Sequence, residues 1–243
     1  MIEVRDLSKS FGAVRALDGV SFDAPDGRVT GLLGPNGAGK STTLRILYTV
    51  LEPAQGSAHV DGFSTVEAPL EVRRRIGVLP HGAGLYPNLT ARENIAYFGR
   101  IQGLAGAALD ERVEALVGRL DLQEFADRRA KGFSHGQRTK TALARALVHE
   151  PQNVLLDEPS NGLDVMATRA LRALIRSLRE QGKCVLFSSH VMQEVAALCD
   201  EIVIIAHGRV AASGTPDAIR AQAGETNLEE AFVKAIGSAE GLE

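Results

Sequence analysis

Over the first third of the chain, apolar residues fall in short runs broken by Gly and Asp, and their spacing is that of strands. IEVRDLSKSF, LDGVSFDAP and RVTGLL each predict a strand, with an Asp-Gly turn at 26–27 between the last two. After GPNGAGK the spacing lengthens to three and four: Leu44, Leu47 and Leu51 predict a helix that Pro53 and Gly56 close. SAHV and RIGVL read as further strands. From about Gly82 to Ala130 the strand signals vanish. Thr90 and Glu93 are spaced as a capping box for the helix ARENIAYFGRI, and ERVEALVGRL predicts a second amphipathic helix.

Beyond residue 150 the pattern alternates. NVLLDEP and CVLFSSH are almost wholly apolar, as parallel strands covered on both faces are. Between them VMATRALRALIRSLREQ places Leu171, Leu174, Ile175 and Leu178 on one helical face, stopped by Gly182. VMQEVAALC predicts another helix, and EIVIIAHGRVAASG a hairpin about Gly208. Strands alternating with helices predict an α/β fold with a doubly wound, mainly parallel sheet. The expected organisation is one domain. Its core comprises 1–81, with an antiparallel β subdomain, and 151–220; a helical lobe at 82–150 is inserted. A C-terminal helix over 221–243 docks through Leu228, Phe232 and Ile236.

Composition narrows the function. The chain has 243 residues and net charge −3 with both signs interspersed, which gives no electrostatic case for nucleic acid. Apolar runs such as IVIIA are too short to cross a bilayer, and the charged start MIEVRDLSKSF has no signal-peptide character, so a cytosolic location is expected. Cys184 and Cys199 sit in apolar contexts and read as buried thiols.

The sharpest chemistry is GPNGAGKST, in which Gly34, Pro35, Asn36, Gly37, Ala38, Gly39, Lys40, Ser41 and Thr42 stand between a strand and a helix. This is the phosphate-loop spacing of a P-loop NTPase core. The glycines let backbone N–H groups wrap phosphates, Lys40 lies against the β and γ phosphates, and Ser41 ligates Mg²⁺. The loop alone leaves kinase, GTPase and motor open. Asp157, at the carboxyl end of its strand, suits Mg²⁺, and Glu158 suits a general base. A hydrolase has use for that second carboxylate. His190 ends a neighbouring strand and is expected near Glu158. A second Gly-rich turn, KGFSHGQRTK at 131–140, precedes the helix TALARALVHE; Ser134 either caps that helix or helps it face a phosphate.

Phe11, GPNGAGKST, FSHGQ, VLLDEP, SNGLD and SSH, in that order, together resemble the nucleotide-binding subunits of ABC transporters, to about residue 215. The resemblance implies an ATPase using ATP and Mg²⁺, paired as a homodimer or heterodimer with a second cassette. The resemblance further implies action on a separate membrane-spanning subunit from the cytoplasmic face. It also implies that Ser134 and Gly136, with Gln137 beside them, meet the γ-phosphate of ATP held by the other cassette. By the same resemblance Phe11 is expected to stack on adenine, residues 161–164 to couple the two sites, and His190 to contact the γ-phosphate and orient the attacking water. The GLYPNLTAREN wording resembles exporter cassettes moving sodium or drugs, with Leu85, Tyr86 and Leu89 at the docking surface. A soluble ATPase acting on ribosomes or DNA is the alternative. Two positions depart from the family pattern. His135 stands where the first glycine of L-S-G-G-Q is usual, and His81 stands where a Gln normally reaches Mg²⁺ and water. His81 either replaces that Gln, weakens the link to the membrane partner, or is a loop residue without a ligand role.

Overall fold

The computed structural model describes residues 1–82 and 84–237. Strands β1 (Ile2–Phe11) and β2 (Val14–Ala24) form a hairpin, and β3 (Val29–Leu33) leads into the phosphate loop and α1 (Lys40–Leu47). The helix is shorter than its leucine spacing predicts. Thr49 turns into the left-handed region (φ 65), and the N–H groups of Val50 and Leu51 close on the Arg45 carbonyl, leaving Leu51 outside the helix. β4 (Gln55–Val60), β5 (Phe63–Ser64), α2 (Pro69–Arg75) and β6 (Ile76–Leu79) follow. The helix α2 is not foreseen by periodicity, because it buries Val72 alone and has no apolar stripe.

The stretch 82–150 carries α3 (Ala91–Ile101), α4 (Gly106–Arg119), a 3-10 turn and α5 (His135–Leu147). Thr90 and Glu93 cap α3 reciprocally, as their spacing predicts. Then come β7 (Asn153–Asp157), α6 (Val165–Glu180), β8 (Cys184–Ser189), α7 (Met192–Leu198), β9 (Glu201–Ala206), β10 (Arg209–Gly214), α8 (Pro216–Ala223) and α9 (Leu228–Ile236). The helix expected over 221–243 is corrected. Gly224 (φ 69) breaks the chain between α8 and α9, and residues 238–243 lie outside the described ones. The docking face of Leu228, Phe232 and Ile236 is buried on α9.

An antiparallel sheet runs β2-β1-β4-β5, and a second runs β10-β9-β3-β8-β7-β6, parallel except for the edge strand β10. Alternate residues of the parallel strands face opposite sides. Val154, Leu156, Val185 and Phe187 join one apolar cluster, whereas Leu155, Cys184 and Leu186 join the other. Both faces are covered, which is why these strands read as unbroken apolar runs. The first cluster continues from the sheet into Ile95, Leu116 and Phe125, so the helices of 82–150 share one core with it. Close packing fixes the glycine of β6: a Cβ on Gly77 would stand 2.3 Å from the Ala146 carbonyl of α5. Both cysteines are buried and free, and burial pushes the Cys184 thiol up to about 12.

Candidate functional site

The site forms at the carboxyl ends of β3, β7 and β8. Gly34 leaves β3 so close to β9 that a Cβ would lie 2.2 Å from the Ile205 carbonyl. Gly39 holds φ 112 beneath Ala16, whose carbonyl would be 2.7 Å from a Cβ. Only glycine satisfies both constraints. Lys40 is buried and donates to the Gly34 carbonyl at 2.6 Å and the Pro35 carbonyl at 3.1 Å, with Glu158 Oε1 3.6 Å away. Burial lowers the Lys40 pKa from its ordinary value, opposed by the charges of Glu158 and Asp157.

Asp157 Oδ1 accepts the Ser41 hydroxyl at 3.0 Å and the Ser188 hydroxyl at 2.7 Å. Its Oδ2 is buried and has no partner among the described residues. Glu158 adopts φ 51, a left-handed backbone unusual for a side chain that is not glycine, and its N–H bonds Ser188 Oγ at 2.9 Å. Such a conformation costs about 1–3 kcal/mol and tends to gather at functional sites. It turns the carboxylate back over the phosphate loop, where Oε2 lies 2.8 Å from His190 Nδ1. The adjacency of β7 and β8 brings these two side chains together.

A cavity of about 560 Å³ is lined by residues 36–42, Arg45, His81, Glu158, Asn161 and His190. Its lining is mainly polar, and Lys40 and Arg45 are its lysine and arginine. Phe11 does not line it; the ring stands 47% exposed at the end of β1, with Lys9 above it. Ser134 and Gln137 do not line it either. They form a reciprocal capping box opening α5, with Gln137 N–H on Ser134 Oγ and Ser134 N–H on the Gln137 side chain. Gly136 faces a different cavity, between α5 and α6. His81 is exposed and stands at the join of the phosphate cavity and a smaller one of about 160 Å³, which Asp157 and His135 also line. Sequence reasoning passes over Arg45 and Ser188. Arg45 lies one helical turn after Ser41, a spacing that marks the same face. Ser188 precedes His190 by two and pairs with Asp157 in register, a relation visible only once the strands are aligned.

A family model described as ABC transporter matches residues 17–161. The chain belongs to the ABC transporter family, as its ATP-binding and ATP-hydrolysing cassette. It is 43% identical to the ABC transporter ATP-binding protein NatA of Bacillus subtilis (strain 168), over 97% of this chain and 98% of that protein. It is 39% identical to the daunorubicin/doxorubicin resistance ATP-binding protein DrrA of Streptomyces peucetius, over 93% of this chain and 69% of that one. Among solved structures it resembles a dimeric, post-hydrolysis state of the ATP-binding cassette MJ0796 bound to ADP and Pi. The TM-score is 0.81 at 26% identity, over 88% of this chain and 98% of that one.

Proposed function

We propose that this cassette works as one of a pair, enclosing two ATP molecules and driving a separate membrane-spanning exporter chain from the cytoplasmic face. The observation that carries the site assignment is the meeting of Lys40, Glu158 and His190 in one cavity with the phosphate loop. Residues 34–42 bind the phosphates through backbone N–H groups, and Lys40 leaves its loop carbonyls for the β and γ oxygens. Glu158 takes a proton from the attacking water, and His190, hydrogen-bonded to it, orients that water. The buried, unpartnered Asp157 Oδ2 beside the Ser41 hydroxyl makes an all-oxygen donor set that suits Mg²⁺. No cluster of three metal-ligating His, Cys, Asp or Glu occurs among the described residues. That accords with an ion held largely by substrate phosphates and water. Mg²⁺ would neutralise charge on the phosphates, and Ser41 and Asp157 would hold it, with His81 reaching it through water.

Phe11, exposed, serves adenine. Ser134, Gly136 and Gln137 lie outside this chain's own phosphate cavity, which supports their serving the nucleotide of a second cassette; the dimeric state of the similar cassette supports it too. The core is 1–81 with 151–220, and 82–150 is the lobe that meets the membrane partner. Tyr86 is exposed there in edge contact with Tyr97, centroids 5.1 Å apart, while Leu85 and Leu89 are half-buried and back it. No helix among the described residues is long and apolar enough to cross a membrane. The name of the drug-resistance relative supports export as the direction.

Phosphate release by Glu158→Gln tests the site. Loss of a general base lowers kcat by at least about 100-fold, with ATP binding retained in a fluorescent-nucleotide titration. Hydrolysis at the wild-type rate would sink the assignment.

A further inference from the structure

His135 stands where the resembled pattern has glycine, and its ring does something glycine cannot do. It is the first residue of α5, after the Ser134 cap. Its Nε2 lies 2.6 Å from the carbonyl oxygen of Asn161, in the loop that follows Glu158. A carbonyl only accepts, so Nε2 carries the proton and Nδ1 is free of it in the neutral ring. The loop is shaped to receive the ring. Gly162 has φ 70, and a Cβ there would stand 3.2 Å from His135 Cδ2.

The opposite side of the same loop is also held. Ser160 Oγ donates to Glu194 Oε2 at 2.5 Å, and Glu194 is buried on α7, four residues after His190. Residues 160–161 are thus clamped between α5 and α7. They follow Glu158 after Pro159, and Glu158 has a left-handed backbone (φ 51) and a carboxylate that meets His190. His135 also lines the small cavity shared with Asp157 and Glu158.

We propose that His135 is a positioning residue for hydrolysis. Its Nε2–H bond to Asn161 fixes the 159–162 loop, and through it the aim of the Glu158 carboxylate. The turn that opens α5 is thereby tied to this chain's own hydrolytic centre. The inference rests on the reading of Glu158 as general base. Failure of that reading appears separately, as unimpaired turnover in Glu158→Gln.

The test is steady-state ATPase of the full chain with three variants. His135→Gly removes the donor and is expected to lower kcat about fivefold or more, the worth of roughly one hydrogen bond, with KM for ATP unchanged. His135→Gln offers an amide N–H to the same carbonyl and is expected to recover at least half of the wild-type kcat. Gly162→Ala leaves His135 in place but presses on its ring, and is expected to show the His135→Gly loss; it also serves should His135→Gly fold poorly. Wild-type turnover in His135→Gly overturns the proposal, as does a Gln variant no faster than the Gly variant, or a loss in KM alone. ¹⁵N-histidine spectra of the full chain give a readout independent of hydrolysis. The signal missing from His135→Gln is expected to be that of the Nε2–H tautomer, and the Nδ1–H tautomer overturns the bond.

Discussion

At the scale of single residues, the two oxygens of Asp157 have divided environments. Oδ1 takes two hydroxyls, from Ser41 and Ser188, and Oδ2 is buried with no partner among the described residues. An unmet acceptor in a dry place is costly unless a ligand meets it, and a cation suits a buried carboxylate oxygen. His149 presents a different economy. Its Nε2 donates to the Ile76 carbonyl at 3.0 Å, and burial, then the nearby Arg112 and Lys183 charges, hold its pKa below the ordinary histidine value. Between that lowered pKa and about 6.5 the unfolded chain binds the extra proton and the fold does not. Stability therefore rises with pH across that window and is lost as pH falls through it. Thermal melts from pH 7.5 to 5 are expected to show a smaller fall in Tm for His149→Gln than for wild type. Equal slopes would mean that His149 does not contribute.

At the scale of elements, what sequence reveals and what it hides have different causes. β3, β7 and β8 are legible because both faces are covered and every residue is buried, which leaves apolar stretches such as VLL and CVLF at their centres. The phosphate loop is legible because its glycines answer local demands. Gly34 is the clearest case, since its Cβ would run into Ile205 of β9. Gly34→Ala is expected to lose ATP binding and to destabilise by about 1–3 kcal/mol through overpacking, read from urea unfolding; full stability would contradict the close approach. Hidden were α2, which buries one residue, and the early end of α1, set by the turn at Thr49 and not by Pro53 and Gly56. The Glu158–His190 contact could be anticipated from strand adjacency. The His135–Asn161 contact could not, because it joins a helix start to a loop 26 residues away with no periodic signal.

At the scale of the whole molecule, one apolar cluster runs from the sheet into the helices of 82–150, so the helical side shares its core with β7, which carries Asp157 and leads into Glu158. In the proposed pairing the chain contributes to two sites: its own phosphate cavity at the ends of β3, β7 and β8, and, through Ser134, Gly136 and Gln137, which do not line that cavity, the site of a second cassette. A second cassette facing the first would complete both. The most direct measurement is the solution mass of Glu158→Gln with and without Mg-ATP, alone and combined with Ser134→Arg. With hydrolysis blocked, Mg-ATP is expected to double the mass, and Ser134→Arg to abolish the doubling while leaving ATP bound. A mass that stays that of a monomer with ATP bound, or a dimer indifferent to Ser134→Arg, would contradict a paired site built across that turn.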